Sequence, residues 1–239
     1  MLDVLQKLWY ISAQIDRGPT MDPSFLLAFP LLLALSTPCN ACSCKIQHPQ
    51  TFYCTSDIVL LADIIGRGNN TKTKQAFQVN VTQILKAPRK NLLRIYDIYS
   101  PLRWEDCGYA LRTTQQSQLL IAGYLRRGKL YFTRCHLVYF WHRLTREQRL
   151  GFEAAYRMGC KCQVQPCIRC WGPCPEPDFT ECVWKQRGCN YSIWEGSRSL
   201  YYTCVPSTSG RCEWTRIQRN YQYQTPPPLT TITGPTKIF

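Results

Sequence analysis

Pro38-Cys39-Asn40-Ala41-Cys42-Ser43-Cys44 is the stretch on which the reading of this chain turns. The apolar segment before it, Phe25 to Leu35, has the length of the hydrophobic region of a secretory signal and is too short to span a bilayer. It closes on small and polar residues, so cleavage is expected after Ala41, making Cys42 the first mature residue. Met21-Asp22-Pro23-Ser24 leads straight into the apolar run, so Met21 is the expected start and residues before it an upstream extension. A cysteine at an N-terminus can be tied down through its side chain while its α-amino nitrogen and carbonyl oxygen stay free. That is the geometry of a small bidentate chelator. The plain alternative is a cysteine that serves only as a disulfide partner.

Of 15 cysteines only Cys39 lies before the expected cut, and the 14 that remain are an even number, as in a fully oxidised secreted protein. The cut also removes Lys7, Arg17, Asp3, Asp16 and Asp22, leaving 27 Lys and Arg against 12 Asp and Glu, a net charge of +15. In an extracellular protein this excess points to sulfated glycosaminoglycan or other cell-surface polyanions before nucleic acid, because a long-range field attracts whichever polyanion is present. Cys167-x-x-Cys170 would suggest a redox or zinc site in the cytosol, but behind a signal sequence it belongs to disulfides. His136 and His142 lack a spacing such as H-E-x-x-H, and no nucleophile and base fall into a pattern. No catalytic residue, no enzyme activity and no cofactor of the chain's own are expected.

Strand signals dominate the first half. Asp57 to Ile64 is a compact apolar run, and Phe77-Gln-Val-Asn-Val-Thr82 alternates strictly, which aims Phe77, Val79 and Val81 at a core. The Gly66 to Lys74 stretch between them reads as a hairpin loop. Further strands are expected at 92–99, 118–125 and 129–133, the last two joined by Arg126-Arg127-Gly128, so about five short strands make a small barrel or sandwich. Thr145-x-x-Gln148 is a capping-box pattern opening one helix that stops at Gly159. After it cysteines become dense and helical periodicity fades, so a second, disulfide-stapled domain begins near Lys161. The tail from 222, with Pro226-Pro227-Pro228 and a Thr-rich run, has the composition of a disordered segment.

Cys42-Ser43-Cys44, His48-Pro49-Gln50, Cys54, Asp57-Ile58-Val59, Cys107-Gly108, Leu120-Ile121-Ala122-Gly123 and the Trp141, Leu144, Gln148-Arg149 helix together resemble the tissue inhibitors of metalloproteinases. The resemblance runs from Cys42 to about Trp214. It implies a mainly β fold: a five-stranded, netrin-like OB-fold barrel with accessory helices over 42–160, and a small disulfide-rich β domain over 161–221. It also implies the pairs Cys42–Cys107, Cys44–Cys135, Cys54–Cys160, Cys162–Cys212, Cys167–Cys174 and Cys182–Cys204, which spacing alone cannot choose among the many connectivities. Cys170 and Cys189 have no place in the family pattern, and a seventh, local disulfide is the economical expectation.

By the same resemblance the chain inhibits zinc metalloproteinases, with the amine and carbonyl of Cys42 on the protease's zinc and Ser43 at the mouth of its S1′ pocket. Ser43, Cys44, Lys45, Glu105 and Asp106 make the wedge. Here the chain departs from its pattern: the residue before Cys107-Gly108 is usually apolar or small, and Asp106 stands there beside Glu105 and Trp104, with Lys45 as fourth mature residue. These carboxylates can repel an acidic protease surface or pair with Lys45. A netrin-like matrix or growth-factor adaptor that inhibits nothing is the rival expectation. Two basic clusters, Lys86, Arg89, Lys90 and Arg94, and Arg126, Arg127, Lys129 and Arg134, are the expected heparan sulfate or matrix contacts. Asn69, Asn80 and Asn190 are sequons, with Asn69 the best placed for a glycan. His48 is expected to be a structural histidine.

Overall fold

The computed structural model describes residues 42–88, 94–111, 117–168, 172–186, 194 and 196–218. The chain divides into two units, Met1–Ala41 and Cys42–Phe239, and every described residue belongs to the second.

Strand β1 (Ile58–Arg67) is apolar on both faces because each face has its own core. Ile58, Leu60, Ala62 and Ile64 point into one cluster with Phe77, Ile98, Ile121, Leu130 and Phe132. Val59 and Leu61 point into another with Tyr53, Phe152, Tyr156, Trp184 and Trp194. Successive strand side chains point to opposite faces, so a strand between two cores reads as a continuous apolar run.

β1 pairs with β2 (Lys74–Lys86) on one edge and with β4 (Leu119–Arg126) on the other, both antiparallel. From β2 the order continues through β3 (Asp97–Pro101) and β5 (Lys129–Tyr131) to β4, so five strands close into a barrel. The β3–β5 pairing is parallel. Three register shifts between β1 and β2 let the long strand bend around the barrel. β6 (Val138–Phe140) extends the sheet beyond β4. Closed topology with these pairings is the expected OB-fold barrel. Of the strand expected at 92–99, residues 92 and 93 lie outside the described residues and the observed strand starts at Asp97.

Helix α1 (Pro49–Thr55) precedes the barrel. The later helical run begins with α2 (Arg146–Leu150), where Thr145 Oγ1 accepts the Gln148 N–H at 3.0 Å and Gln148 Oε1 accepts the Thr145 N–H at 2.9 Å, the reciprocal pair of a capping box. It widens to a π-helical turn over Gly151–Ala155 and resumes as α3 (Tyr156–Met158). Beyond it lie a parallel pair, β7 (Gln163–Ile168) and β8 (Glu181–Gln186), helix α4 (Ser197–Tyr201), and an antiparallel pair, β9 (Tyr202–Pro206) and β10 (Cys212–Arg216). Disulfides Cys162–Cys212, Cys167–Cys174 and Cys182–Cys204 hold this region, and Cys54–Cys160 ties α1 to the end of the helical run. Trp184 and Ile217 share a cluster with barrel residues Val59 and Leu120, so the cysteine-rich part is packed onto the barrel wall. No helix among the described residues is long and apolar enough to cross a membrane.

Candidate functional site

Six residues of the chain, Cys42 to Gln47, run to α1 without regular structure, and two disulfides pin the first part of that run. Cys42–Cys107 and Cys44–Cys135 stand side by side, their four sulfurs within 4.8 Å of one another. Ser43, Cys44 and Lys45 between and beyond them are exposed, and Cys42 is half-buried. Among the described residues no hydrogen bond reaches the backbone nitrogen or oxygen of Cys42.

The Cys107 anchor is itself strained into place. Cys107 has φ of 59°, and its N–H donates to Trp104 O at 2.9 Å while Gly108 N–H donates to Arg103 O at 3.0 Å. A Cβ on Gly108 would lie 2.3 Å from Pro101 O and 2.7 Å from Arg103 O, so only glycine lets the loop fold this tightly. Arg134 braces it from outside, with its backbone N–H donating to Cys107 O at 2.9 Å and its guanidinium 3.4 Å from the centre of the exposed Trp104 ring. Glu105 and Asp106 are both exposed at the tip. A hydrogen bond from its own backbone N–H, then Arg103 at 3.4 Å, hold the Glu105 carboxyl below the ordinary range. Lys45 forms no ion pair with either acid among the described residues. A groove of about 310 Å³ runs beside this edge, between Lys45, Ile46 and Phe52 on one wall and Arg134, Leu137 and Tyr139 on the other.

The other end of the same run is buried. Nδ1 of His48 accepts the Gln50 N–H at 3.1 Å and caps α1, which makes Nε2 the protonated nitrogen that donates to Arg198 O at 3.1 Å. Trp184, Trp214 and Tyr156 surround the ring. Burial lowers its pKa to about 4, partly offset by the Arg198 carbonyl. The Gln50 amide donates to Gly159 O (2.8 Å) and Cys204 O (2.7 Å) and accepts from Thr203 Oγ1 (2.9 Å) and Cys204 N–H (2.7 Å), so all four contacts reach across to later parts of the chain. Gly159 is glycine for this reason, since a Cβ there would sit 2.3 Å from Gln50 Nε2 and 2.2 Å from Cys204 O.

The other residues singled out from the sequence scatter. Lys86 Nζ turns inward and donates to the Tyr53 and Cys54 carbonyls, both at 2.8 Å, closing the last turn of α1. Burial lowers its pKa, with Asp57 opposing the shift. Arg94, Arg126, Arg127 and Lys129 are exposed, whereas Arg89 and Lys90 lie outside the described residues. Asn69 in the β1–β2 loop and Asn80 on β2 are exposed, and Asn190, Cys170 and Cys189 lie outside the described residues. His136 Nδ1 accepts the Thr133 N–H at 3.1 Å, and burial lowers its pKa. The seam contacts of Gln50 and the inward turn of Lys86 have no local sequence signal.

The sequence profile of the family described as "Tissue inhibitor of metalloproteinase" matches residues 40–214. Among curated proteins the chain is 30% identical over 201 residues to "Metalloproteinase inhibitor 3" of Xenopus laevis, covering 83% of this chain and 89% of the relative. It is 31% identical over 197 residues to "Metalloproteinase inhibitor 2" of Gallus gallus (78% and 86%), and 29% over 203 residues to that of Homo sapiens (80% and 88%). A closed five-stranded barrel carrying a doubly disulfide-pinned leading edge defines the class of protein, and the chain belongs to the tissue inhibitor of metalloproteinases family.

Proposed function

We propose that the mature chain is a secreted inhibitor of zinc metalloproteinases, without enzymatic activity, that ligates the protease's zinc through the amine nitrogen and carbonyl oxygen of Cys42. One observation carries this reading: the Cys42 side chain is consumed by the bond to Cys107, while its backbone nitrogen and oxygen have no hydrogen-bond partner among the described residues. A donor pair held on a disulfide frame and without a hydrogen-bond partner among the described residues fits a metal with an open coordination position. Zinc in such a protease has three protein ligands and a water, and two donors from outside displace that nucleophile.

The nitrogen is an amide as long as Ala41 precedes it, so cleavage of the Ala41–Cys42 bond is part of the function. The freed amine ligates only unprotonated, and an α-amino group ordinarily titrates near pH ~8, so binding at neutral pH releases a proton. The exposed Ser43 side chain is small and sets breadth at the S1′ mouth, while Glu105 and Asp106 bias the choice of protease. Pinning by two disulfides lowers the ordering cost of binding. In this reading residues 42–160 are the inhibitory domain and 161–221 the cysteine-rich domain. The names of the relatives favour an inhibitor over a matrix adaptor. N-terminal sequencing of the secreted protein, with titration against a matrix-type metalloproteinase, tests the proposal. Cys42 as first residue with stoichiometric inhibition is expected, and a processed protein that leaves the protease fully active overturns it.

A further inference from the structure

The two disulfides of the leading edge are close enough to react with each other. Cys135 Sγ lies 3.7 Å from Cys107 Sγ and 4.0 Å from Cys42 Sγ, and Cys42 Sγ lies 4.0 Å from Cys44 Sγ. A thiolate freed from one bond is therefore already beside the other, and attack within the cluster outruns attack by a second molecule from solution. Cys44 is exposed, so an outside thiolate can reach it. The groove of about 310 Å³ beside it has room for a small thiol, and Lys45, Arg134, Cys44 and Cys135 line it while Glu105 and Asp106 do not. One Nη of Arg134 is buried without a hydrogen-bond acceptor among the described residues. A cation next in the chain to Cys135 favours the thiolate that leaves there.

The other cysteines supply a contrast. Cys162, Cys204 and Cys212 also hold their sulfurs within 4.8 Å of one another, but all three are buried, and Cys182 with them. Cys160 is exposed, yet no third sulfur gathers at the Cys54–Cys160 bond among the described residues, so a thiol that opens it can be followed only by reclosure. Among the described residues, access and a neighbouring bond to receive the exchange coincide only at the leading edge.

We infer that this cluster is a thiol-exchange site, at which a small anionic thiol such as glutathione converts Cys42–Cys107 and Cys44–Cys135 into Cys42–Cys44 and Cys107–Cys135. The entering thiolate bonds to Cys44 Sγ, and the Cys44–Cys135 bond breaks with its electron pair on Cys135. The Cys135 thiolate bonds to Cys107 Sγ, and the Cys42–Cys107 bond breaks with its pair on Cys42. The Cys42 thiolate then bonds to Cys44 Sγ and expels the small thiol. Two disulfides are present before and after, the thiol is returned, and no oxidant or reductant is consumed. The Arg134 N–H already donates to Cys107 O, so the chains that carry Cys107 and Cys135 run side by side, and residues two apart bring their Cα atoms within disulfide reach. No core contact opposes the change, because Ser43, Cys44 and Lys45 are exposed and no hydrogen bond reaches the Cys42 backbone among the described residues. Both links from the edge to the barrel are then gone. That this switches the inhibitor off rests on the proposed role of Cys42; the exchange itself does not.

The test is a disulfide map of the secreted chain after incubation with a catalytic amount of reduced glutathione without oxygen, quenched by alkylation at intervals and read by mass spectrometry. Cys42–Cys44 and Cys107–Cys135 are expected to replace the parent pairs about tenfold or more faster than Cys162–Cys212 is lost, with no net consumption of thiol. Parent pairs that last as long as Cys162–Cys212 overturn the proposal. So does opening of Cys44–Cys135 that stops at a glutathione adduct with Cys42–Cys107 intact, or a product with the crossed pairs Cys42–Cys135 and Cys44–Cys107, which keep the edge tethered. The variant Cys42→Ser with Cys107→Ser has no second bond to receive the exchange and is expected to stop at the adduct; should it misfold, the map of the parent chain decides alone. No protease enters this measurement, so its failure is distinct from failure of the Cys42 reading. Complete conversion with inhibition retained would support the exchange and contradict zinc ligation by a pinned Cys42.

Discussion

Residues 42–45 and residues 48–50 are neighbours in one short run, yet opposite forces hold them. At Cys42 and Cys44 the chain is wet, and covalent bonds to Cys107 and Cys135 hold it without occupying the backbone groups of Cys42. At His48 and Gln50 it is dry, and every polar atom of the Gln50 amide is spent on the later chain. Exposed hydrogen bonds exchange with water and fix little, whereas buried ones are costly to break. The surface edge is rigid because its far end is rooted in a core and its near end is stapled where a core cannot reach.

Breaking the root is expected to have the largest effect on stability. Gln50→Ala leaves the Cys204 carbonyl and N–H buried without the partners Gln50 supplies, and takes one of its two donors from the Gly159 carbonyl, which keeps the Cys162 N–H, at a cost of about 3–5 kcal/mol, measured by denaturant unfolding with disulfides intact. A loss under about 1 kcal/mol would mean that the seam is held by apolar packing alone.

Removing one staple is next. Cys44→Ser with Cys135→Ser opens a loop of sequence separation 91 and is expected to lower stability by about 2–4 kcal/mol. Because it also frees Ser43, inhibition should weaken well beyond the parent's while the Trp184 and Trp214 environment, read by near-ultraviolet circular dichroism, stays native. Full inhibition by this variant would show that the Cys42–Cys107 bond alone orients the edge.

The root is also the acid-sensitive half of the comparison. His48 titrates near 6.5 when unfolded and near 4 when folded, so the unfolded chain binds more protons in that interval. Its contribution is complete above about pH 6.5 and is lost as pH falls towards 4, on the order of 2 kcal/mol by pH 5. His48→Gln should flatten this slope in unfolding measurements at pH 7 and pH 5. The smallest effect is at the tip: Asp106→Val removes an exposed carboxylate, and affinity for a protease with an acidic cleft should tighten by about 1 kcal/mol, less in high salt. Weaker binding would show that the acid makes a favourable contact.

Much of the barrel was legible because its signals are local. Strict alternation marks Phe77 and Val79 as core residues, and both are buried; Thr145-x-x-Gln148 marks a capping box that is present. What was not legible depends on chain brought from far away. The run Ile58 to Ile64 does not declare that it serves two cores. β6 is too short to carry a period, and the π turn at Gly151 has no signature in a capped helix. Lys86 reads as part of a basic cluster, but the carbonyls it closes belong to a helix more than thirty positions earlier. Which cysteines pair was open on spacing alone; the family resemblance supplied a pattern.

In the proposed function the Cys42 nitrogen, freed from Ala41, is the working atom of the edge. The most direct measurement compares protease inhibition by the chain that begins at Cys42 with the same protein acetylated at that nitrogen, after peptide mapping has verified intact disulfides in both. Acetylation removes the lone pair and leaves the fold's contacts in place. Stoichiometric inhibition by the free amine and none by the acetylated protein is expected, with identical circular dichroism. Equal potency of the two would contradict it.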